Sequence, residues 1–552
     1  MKILILGGYG VFGGRLAQLL GDLPQLTLFI CGRDEGKARR FCDAYTGAAK
    51  AVPVKLDRRN IAAALDDLAP ELVVDASGPF QAYGERQYQV VEACILAGVD
   101  YLDFADGADF VFGVSQYEDR ARQAGVFALS GVSSFPVLTA AVLREIGRTM
   151  NITEVTGGIA PSPYAGIGLN VMRAVVGYAG APVKLTRGGV RMHGIGLAES
   201  RRYTIAVPGR LALRNIRFSL VDVPDLQILP REHPSLADIW MGAGPMPEVL
   251  HRILNLLART RYRLRLPSLE RFSRLFYLVL NLMKFGEHRG GMFVHVRGTR
   301  GDQLVERSWH LLAEGDDGPF IPSMAIEAIV RKLLAGERPA PGARPATRAL
   351  ELADYERLFA TKTIYTGLRD EASGGPLYQR ILVSAFDALP DQVRRLHGST
   401  ADRRWHGHAS VQRGHGITAN LVAKLIGFPA ASERVPVEVH FAPDGRGERW
   451  TRTFGMQSFH SHQSAGTGRN EYLVVERFGV LAVALALVVE GDRLYLIPRR
   501  LSVLGIPLPR WLLPGGNSFE TQEGEQFCFD VDIRLPLIGR VVAYRGVLNP
   551  AK

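Results

Sequence analysis

The chain opens on an unbroken apolar run, Ile3 to Leu6, short and partly β-branched, which predicts a strand buried on both faces. Glycines follow, and Leu16, Leu19 and Leu20 then recur at helical spacing until Gly21-Asp22 ends the run. A second apolar run, Leu26 to Cys31, closes on Gly32-Arg33. From there AVPVKLD, ELVVDAS, DYLDFAD and VFALSG read as strands, with NIAAALDDL, QYQVVEACILAG and YEDRARQAG as helices between them. This alternation predicts an α/β fold, a doubly wound parallel sheet over residues 1–135.

The pattern changes near Thr153. EVTGGIAP, TRGGVRMHG, ESRRYTIAV, MFVHVRGTRG and ERSWHLLAEG read as strands of a mixed sheet, giving an α+β lobe over 136–337 with a helical insertion at 248–284. RPAPGARP suggests a Pro-rich connector, so 338–375 is assigned as a linker and connecting segment. Beyond it, LYQRILVSAFDALPDQVRRL reads as a helix. PVEVHF, ERWTRTF, EYLVVERF, RLYLIPRRL and FCFDVDIRLP, separated by Gly and Pro signals, predict a β-rich domain over 376–552, an antiparallel sheet or a barrel.

The glycines after the first strand, Gly8, Gly10 and Gly13, stand in G-x-G-x-x-G register between a strand and a helix. That is the context of a Rossmann dinucleotide fingerprint. The first glycine permits the tight turn, the second lets backbone approach a pyrophosphate, and the third lets helix pack on strand. Val11 and Phe12 between them belong to the same cofactor-binding set. At the end of the second strand, where an acidic residue would accept from a ribose 2′-hydroxyl, stands Arg33, whose planar fork suits a 2′-phosphate. NADP is therefore the expected cofactor, although Asp34 next door would reverse the preference if the register moved by one residue. Ligands in such sheets bind beyond the carboxyl ends of the strands, which selects Ser77-Gly78-Pro79-Phe80, Asp103, Asp106 and Ser130-Gly131 as residues near the site.

Composition narrows the class. Of 552 residues, 47% are hydrophobic and 22% charged, which suits a folded globular chain. Four scattered cysteines build neither a disulfide framework nor a zinc knuckle. A core strand at the first residues leaves no room for a signal peptide, and a cytoplasmic location is expected. The net charge of +11 is concentrated in the insertion, where Arg252, Arg259, Arg261, Arg263, Arg265, Arg271, Arg274 and Lys284 are interleaved with leucines and aromatics. A basic amphipathic stretch of this kind lies on a membrane surface or, more plainly, forms two ordinary surface helices. Peripheral contact with the inner membrane surface through 248–284 is thus one expectation. No nucleic-acid module is visible, and an oligomer is possible.

At this point the residues carry a resemblance. GGYGVFGGRLA, CGRD, VVDASGPFQAYGERQYQVVEACILAGVDYLDFADG, SLVDVPDLQILP and the block from HVRGTRG through DGPFIPSMAIEAIVRKLLAG are similar to the saccharopine dehydrogenase-like reductase family, over about residues 1–340. FGMQSFHS, ERFG and RRLSVLGIPLP resemble an uncharacterised bacterial module that follows such reductases. The resemblance implies an NADP-linked oxidoreductase. It also implies that the GPF/Y-x-x-YG loop, here Gly78, Pro79, Phe80, Tyr83 and Gly84, lies beside the nicotinamide. Relatives include imine-reducing saccharopine enzymes and trans-acting enoyl reductases of lipid biosynthesis. The amino-acid-binding pattern of the former is not recognisable here.

Hydride transfer needs a proton source beside the cofactor. Tyr83 can serve if its pKa is lowered or a water relays the proton, and Asp103 and Asp106 can orient an amine or hydroxyl; each aspartate can equally cap the helix that follows. His406 with His408, and His460 with His462, place imidazoles on one face of a strand and would make a metal set only if those strands paired. No metal is expected. The sequence thus favours an NADP-dependent oxidoreductase acting on a hydrophobic or lipid-linked molecule through an enoyl, carbonyl or imine group. The alternatives are an imine reductase on an amino-acid-derived substrate and a non-catalytic NADP-binding lipid-binding or scaffold protein.

Overall fold

The computed structural model describes residues 1–80, 83–166, 168–213, 215–282, 284–370 and 374–551. The chain divides into two units, Met1–Tyr203 with Ile216–Thr366, and Thr204–Asn215 with Gly367–Lys552.

In the first unit, β1 (Lys2–Leu6), β2 (Thr27–Gly32), β3 (Lys50–Lys55), β4 (Leu72–Asp75), β5 (Asp100–Asp103) and β6 (Phe127–Ser130) form a parallel sheet in the order β3-β2-β1-β4-β5-β6. Ile3 to Leu6 are buried, as a strand covered on both faces must be. The order reverses between β1 and β4, and a crevice opens beyond the strand ends at such a reversal.

The expected linker belongs to this unit as far as Thr366, and from Gly367 to the second unit. Gly342–Pro345 pairs in parallel with β6 and completes the sheet edge, and Leu352–Phe359 is a helix with a capping box made by Glu351 and Asp354. The Pro-rich composition misleads because Pro345 closes an edge strand, where a missing N–H costs no ladder bond.

The second sheet of the unit is centred on β7 (Asn151–Ala160). Asp238–Ala243 pairs parallel on one side, and Arg289–Arg300 pairs antiparallel on the other and forms a hairpin with Gln303–Glu314. TRGGVRMHG stands apart, as a two-stranded ribbon of Pro182–Arg187 and Val190–Ile195. The insertion forms two helices, Glu248–Leu264 and Ser273–Leu282. The first is held by its inward face, where His251 bonds Ser219 (2.8 Å) and Asn255 donates to the Leu197 carbonyl (2.7 Å) and to Ser219 (2.9 Å). Burial, then the Arg217 charge, pulls His251 down to about 4, so it is neutral at pH 7.

In the second unit, ten antiparallel strands close into a barrel. The ladder runs from Leu481–Glu490 through Val474–Phe478, Gln457–Ala465, Gly447–Phe454, Ser432–Asp444, Arg403–Arg413, Gly539–Pro550, Gln526–Leu535 and Ser518–Glu523 to Arg493–Val503, which pairs back on Leu481–Glu490. The single helix expected at LYQRILVSAFDALPDQVRRL is broken into Leu377–Leu382, which ends at Val383 with φ +49°, a 3-10 turn, and Asp391–His397, before which Pro390 removes an N–H and disfavours a helical residue ahead of it. The two histidine pairs do not meet, since two strands, Ser432–Asp444 and Gly447–Phe454, separate Arg403–Arg413 from Gln457–Ala465.

Candidate active site

The crevice is built first by the turn from β1 into α1 (Val11–Leu19). Gly10 is the N-cap with extended backbone and has no side chain to cap the first turn, so the leading N–H groups are left for an anion. Gly13 packs so closely that a Cβ there would lie 2.5 Å from the Gly7 carbonyl oxygen and 2.9 Å from the Gly8 Cα. The turn is therefore pinned against the helix with the approach at exposed Gly10 kept clear.

The end of β2 resolves the ambiguity between neighbours. Asp34 is the N-cap of helix Glu35–Asp43, accepting from the Lys37 N–H (3.0 Å), with the Lys37 ammonium 3.7 Å away. Its carboxylate is committed to the helix. Arg33, directly after β2, is exposed and makes no hydrogen bond or ion pair among the described residues. Uncapped amides, a tight glycine turn and an unengaged guanidinium fit a pyrophosphate and a 2′-phosphate. An NADP there would be held by the α1 N-terminus and Arg33.

After β4, the Ser77 hydroxyl donates to Asp75 Oδ1 (2.5 Å) and lies 2.8 Å from the Tyr83 hydroxyl, while the Arg58 guanidinium covers the Tyr83 ring at 3.4 Å. Phe80 is buried against Tyr83 and Phe110. Burial, then the Asp75 charge, pushes the Tyr83 phenol well above its ordinary value. This is opposite to the lowering expected for direct proton donation by Tyr83 and leaves the water-relayed route.

The structure also gives Asp103 a plain role. It is wholly buried, and its Oδ1 accepts from the N–H groups of Ala105 (2.9 Å) and Gly131 (2.8 Å) and from Ser130 (3.0 Å), tying the loop after β5 to the loop after β6. It does not line the cavity described below. Burial is the main cause that raises it to about 7, with the Asp75 charge adding to it. Its folded pKa lies above the unfolded value, so its ionisation opposes folding, and stability from this group is lost as pH rises from about 4 to about 7, by at most about 1.4 kcal/mol per pH unit. Asp103→Asn therefore gains stability relative to the parent between pH 5 and pH 8; urea unfolding at both values measures it, and a constant difference would refute the assignment.

Asp106, by contrast, is exposed and borders a cavity of about 930 Å³. Val11, Phe12 and Pro79 line it where β1 and β4 end; Ile159, Met172 and Leu311 also line it, and Leu254 and Leu280 reach it from the insertion helices. Most of the lining is apolar. Its polar groups include several that the sequence did not single out: Arg15, which donates to the Ala165 carbonyl (3.2 Å); Lys184, 3.6 Å from Asp109; and Asp222. Burial, then the Asp109 charge, raises Asp222 above the ordinary carboxylate range. Arg15 carries a faint signal, a charge among the apolar residues of α1. Lys184 and Asp222 carry none, because Lys184 lies on the Pro182–Arg187 ribbon and Asp222 just after the strand Ile216–Leu220, and only tertiary packing brings them to the cavity.

Fold and site together define the first unit as a Rossmann dinucleotide-binding domain continued into a second, mixed sheet, a build suited to a nicotinamide cofactor. Residues 3–129 match the family described as saccharopine dehydrogenase NADP binding domain, which agrees with Arg33 in making NADP the cofactor. Residues 389–548 match a domain of unknown function, DUF4166. A curated relative, carboxyaminopropylagmatine dehydrogenase of Synechocystis sp., is 29% identical over 148 residues, 25% of this chain; the chain spans only 35% of that protein. Among solved structures, saccharopine dehydrogenase (L-Glu forming) of Saccharomyces cerevisiae aligns over 67% of this chain and all of its own, at 12% identity and a TM-score of 0.49. Amine dehydrogenase of Mycobacterium smegmatis aligns over 63% of this chain and 95% of its own, at 10% identity and a TM-score of 0.34.

Proposed function

We propose that the protein is an NADP-dependent oxidoreductase that reduces an enoyl, carbonyl or imine group on a hydrophobic, lipid-linked molecule. One observation carries the reading: a large, mainly apolar cavity is lined by Val11 and Phe12, the first two residues of α1, and by Pro79. NADPH held by the α1 N-terminus and Arg33 would supply the hydride. Val11, Phe12 and Pro79 exclude water at the cofactor end, and proton delivery to the product is assigned to Asp222, a lining carboxyl that burial and the Asp109 charge raise above its usual range.

The insertion supports delivery from a lipid surface. At 100° per residue, Val249, Ile253, Leu256 and Leu264 form an outward stripe opposite the buried His251, Leu254, Asn255 and Ala258. Leu275, Leu278 and Leu282 continue it on the second helix, the last of them 78% exposed. Eight basic residues and two acidic ones lie between 248 and 284, which complements anionic headgroups. No helix among the described residues is long and apolar enough to span a membrane, so this stripe would lie in the interface. The protein is expected to co-sediment with phosphatidylglycerol vesicles in a salt-sensitive manner, and Leu256→Glu with Leu278→Glu to weaken this about tenfold. Equal sedimentation of the double variant would remove the membrane from the proposal.

The carboxylates Asp106, Asp109 and Asp222 around the cavity favour one second reading, a cationic imine derived from an amino acid. NADPH oxidation followed at 340 nm separates the two. Turnover of medium- and long-chain enoyl thioesters or enals is expected; turnover confined to short keto acids with amines would overturn the lipid-linked reading, and none with either would leave a non-catalytic NADP-binding protein.

A further inference from the structure

We propose that the lumen of the ten-stranded barrel is a binding site for a neutral, mostly apolar molecule that carries a hydrogen-bond acceptor. The argument is confined to the second unit and does not depend on the reductase reading.

It begins with strand number. Barrel diameter grows with the number of strands, and about eight already give an interior that side chains fill or that holds one small ligand. Ten strands leave more room. Alternate residues point inward along each strand, and their sum here leaves a cavity of about 320 Å³, walled by residues such as Val439, Phe441, Phe454, Val483, Leu485 and Phe529. Packed interiors contain few voids larger than a water molecule. Dry apolar cavities of about 150 Å³ already take up benzene or xenon, and small-molecule sites begin near 300 Å³.

The polar groups of the lining decide the ligand's charge. Arg452 donates to Glu476 (3.0 Å) and to the Ser461 hydroxyl (2.8 Å), which itself donates to Glu476 (2.6 Å). Glu520 is bonded to His397 (2.6 Å), and Asp532 accepts from Arg534 (2.9 Å) and Arg540 (3.1 Å). Each of these charged groups is already engaged by a partner within the protein, so a charged ligand would enter a low-dielectric space with no unengaged charge to pair with it.

Among the described side chains that line the cavity, one buried polar atom lacks a partner. Gln463 is 1% exposed, its Oε1 accepts from the Tyr378 hydroxyl (3.1 Å), and its Nε2 has no partner among the described residues. A buried amide donor left unpaired costs about 1–3 kcal/mol. It lines the cavity, so an acceptor oxygen on the ligand, a hydroxyl, carbonyl or ester, would satisfy it. The site has the composition expected of a small-molecule pocket, apolar walls with a single orienting polar group.

The test uses the full-length chain and the neutral fluorophore N-phenyl-1-naphthylamine. Saturable, blue-shifted fluorescence is expected, displaced by 1-decanol at concentrations at least about tenfold below those needed with decanoate. Val483→Phe and Leu496→Trp narrow the lumen from different strands, and each should remove this site. Ala174→Trp, which narrows the cavity of the first unit, should leave it. Gln463→Leu should leave the fluorophore bound but weaken decanol about two- to tenfold. The proposal is overturned if Val483→Phe and Leu496→Trp, folded by near-ultraviolet dichroism, still bind the probe as the parent does, or if Ala174→Trp alone abolishes binding. Decanoate competing as well as decanol on the unmodified chain would overturn it too, whatever the variants do.

Discussion

Gly13→Ala is expected to raise the NADPH dissociation constant by about a hundredfold or more while the barrel unit stays folded. The added methyl would sit 2.5 Å from the Gly7 oxygen and 2.9 Å from the Gly8 Cα, both backbone atoms, so no side-chain rotation relieves the contact. Gly7 cannot readily yield, because its φ is +71° and the Ala76 carbonyl oxygen would be 2.7 Å from a Cβ at its own position. Either α1 backs away from the turn or the turn opens, and both carry the first-turn N–H groups off the phosphate position. Overpacking alone costs about 1–3 kcal/mol, and one lost charge-assisted hydrogen bond adds about 1.5–3. About 3 kcal/mol in total corresponds to roughly 150-fold in affinity. Calorimetric titration measures it, with thermal unfolding to show that the variant is folded. Binding within threefold of the parent would mean that the phosphates are not held at this helix end.

What makes that prediction available from residues alone is locality. The strand, turn and helix from Lys2 to Leu19 lie within twenty residues, and their spacing encodes their packing. Where partners are distant, the chain gives less away. Gly342–Pro345 reads as a linker because its mate, β6, lies some two hundred residues earlier. Thr204–Asn215 shows no sign in its pattern that it belongs with the barrel. Asp103 and Asp106 both follow β5 and look alike in the sequence. Tertiary packing buries the first under Ser130 and Gly131 and leaves the second at the cavity. Strand neighbours are likewise invisible, which is why the alternation at His406 and His460 could suggest a metal set that the barrel order then separates. Alternation did announce a β-rich third region, but closure depends on one pairing, Leu481–Glu490 with Arg493–Val503, that also looks like any hairpin.

Arg33→Ala is expected to weaken NADPH by about 10- to 150-fold, the worth of one charged hydrogen bond at about 1.5–3 kcal/mol, while NADH changes less than about twofold. Arg33 is exposed, so screening places the effect toward the lower end in physiological salt and higher at low ionic strength. The melting temperature should not move, because the guanidinium holds nothing in the described structure. Asp34→Ala is the informative companion. Were Asp34 the ribose acceptor of an NAD site, its loss would weaken NADH and spare NADPH. As the cap of helix Glu35–Asp43 it instead contributes about 0.5–2 kcal/mol to stability, and removing a negative charge beside the 2′-phosphate should leave NADPH affinity equal or higher. Lys37, already drawn to Asp34 at 3.7 Å, is a weaker contributor whose replacement costs less than that of Arg33. A parent that prefers NADH, with Asp34→Ala abolishing the preference, would shift the specificity determinant by one residue and reverse the cofactor assignment.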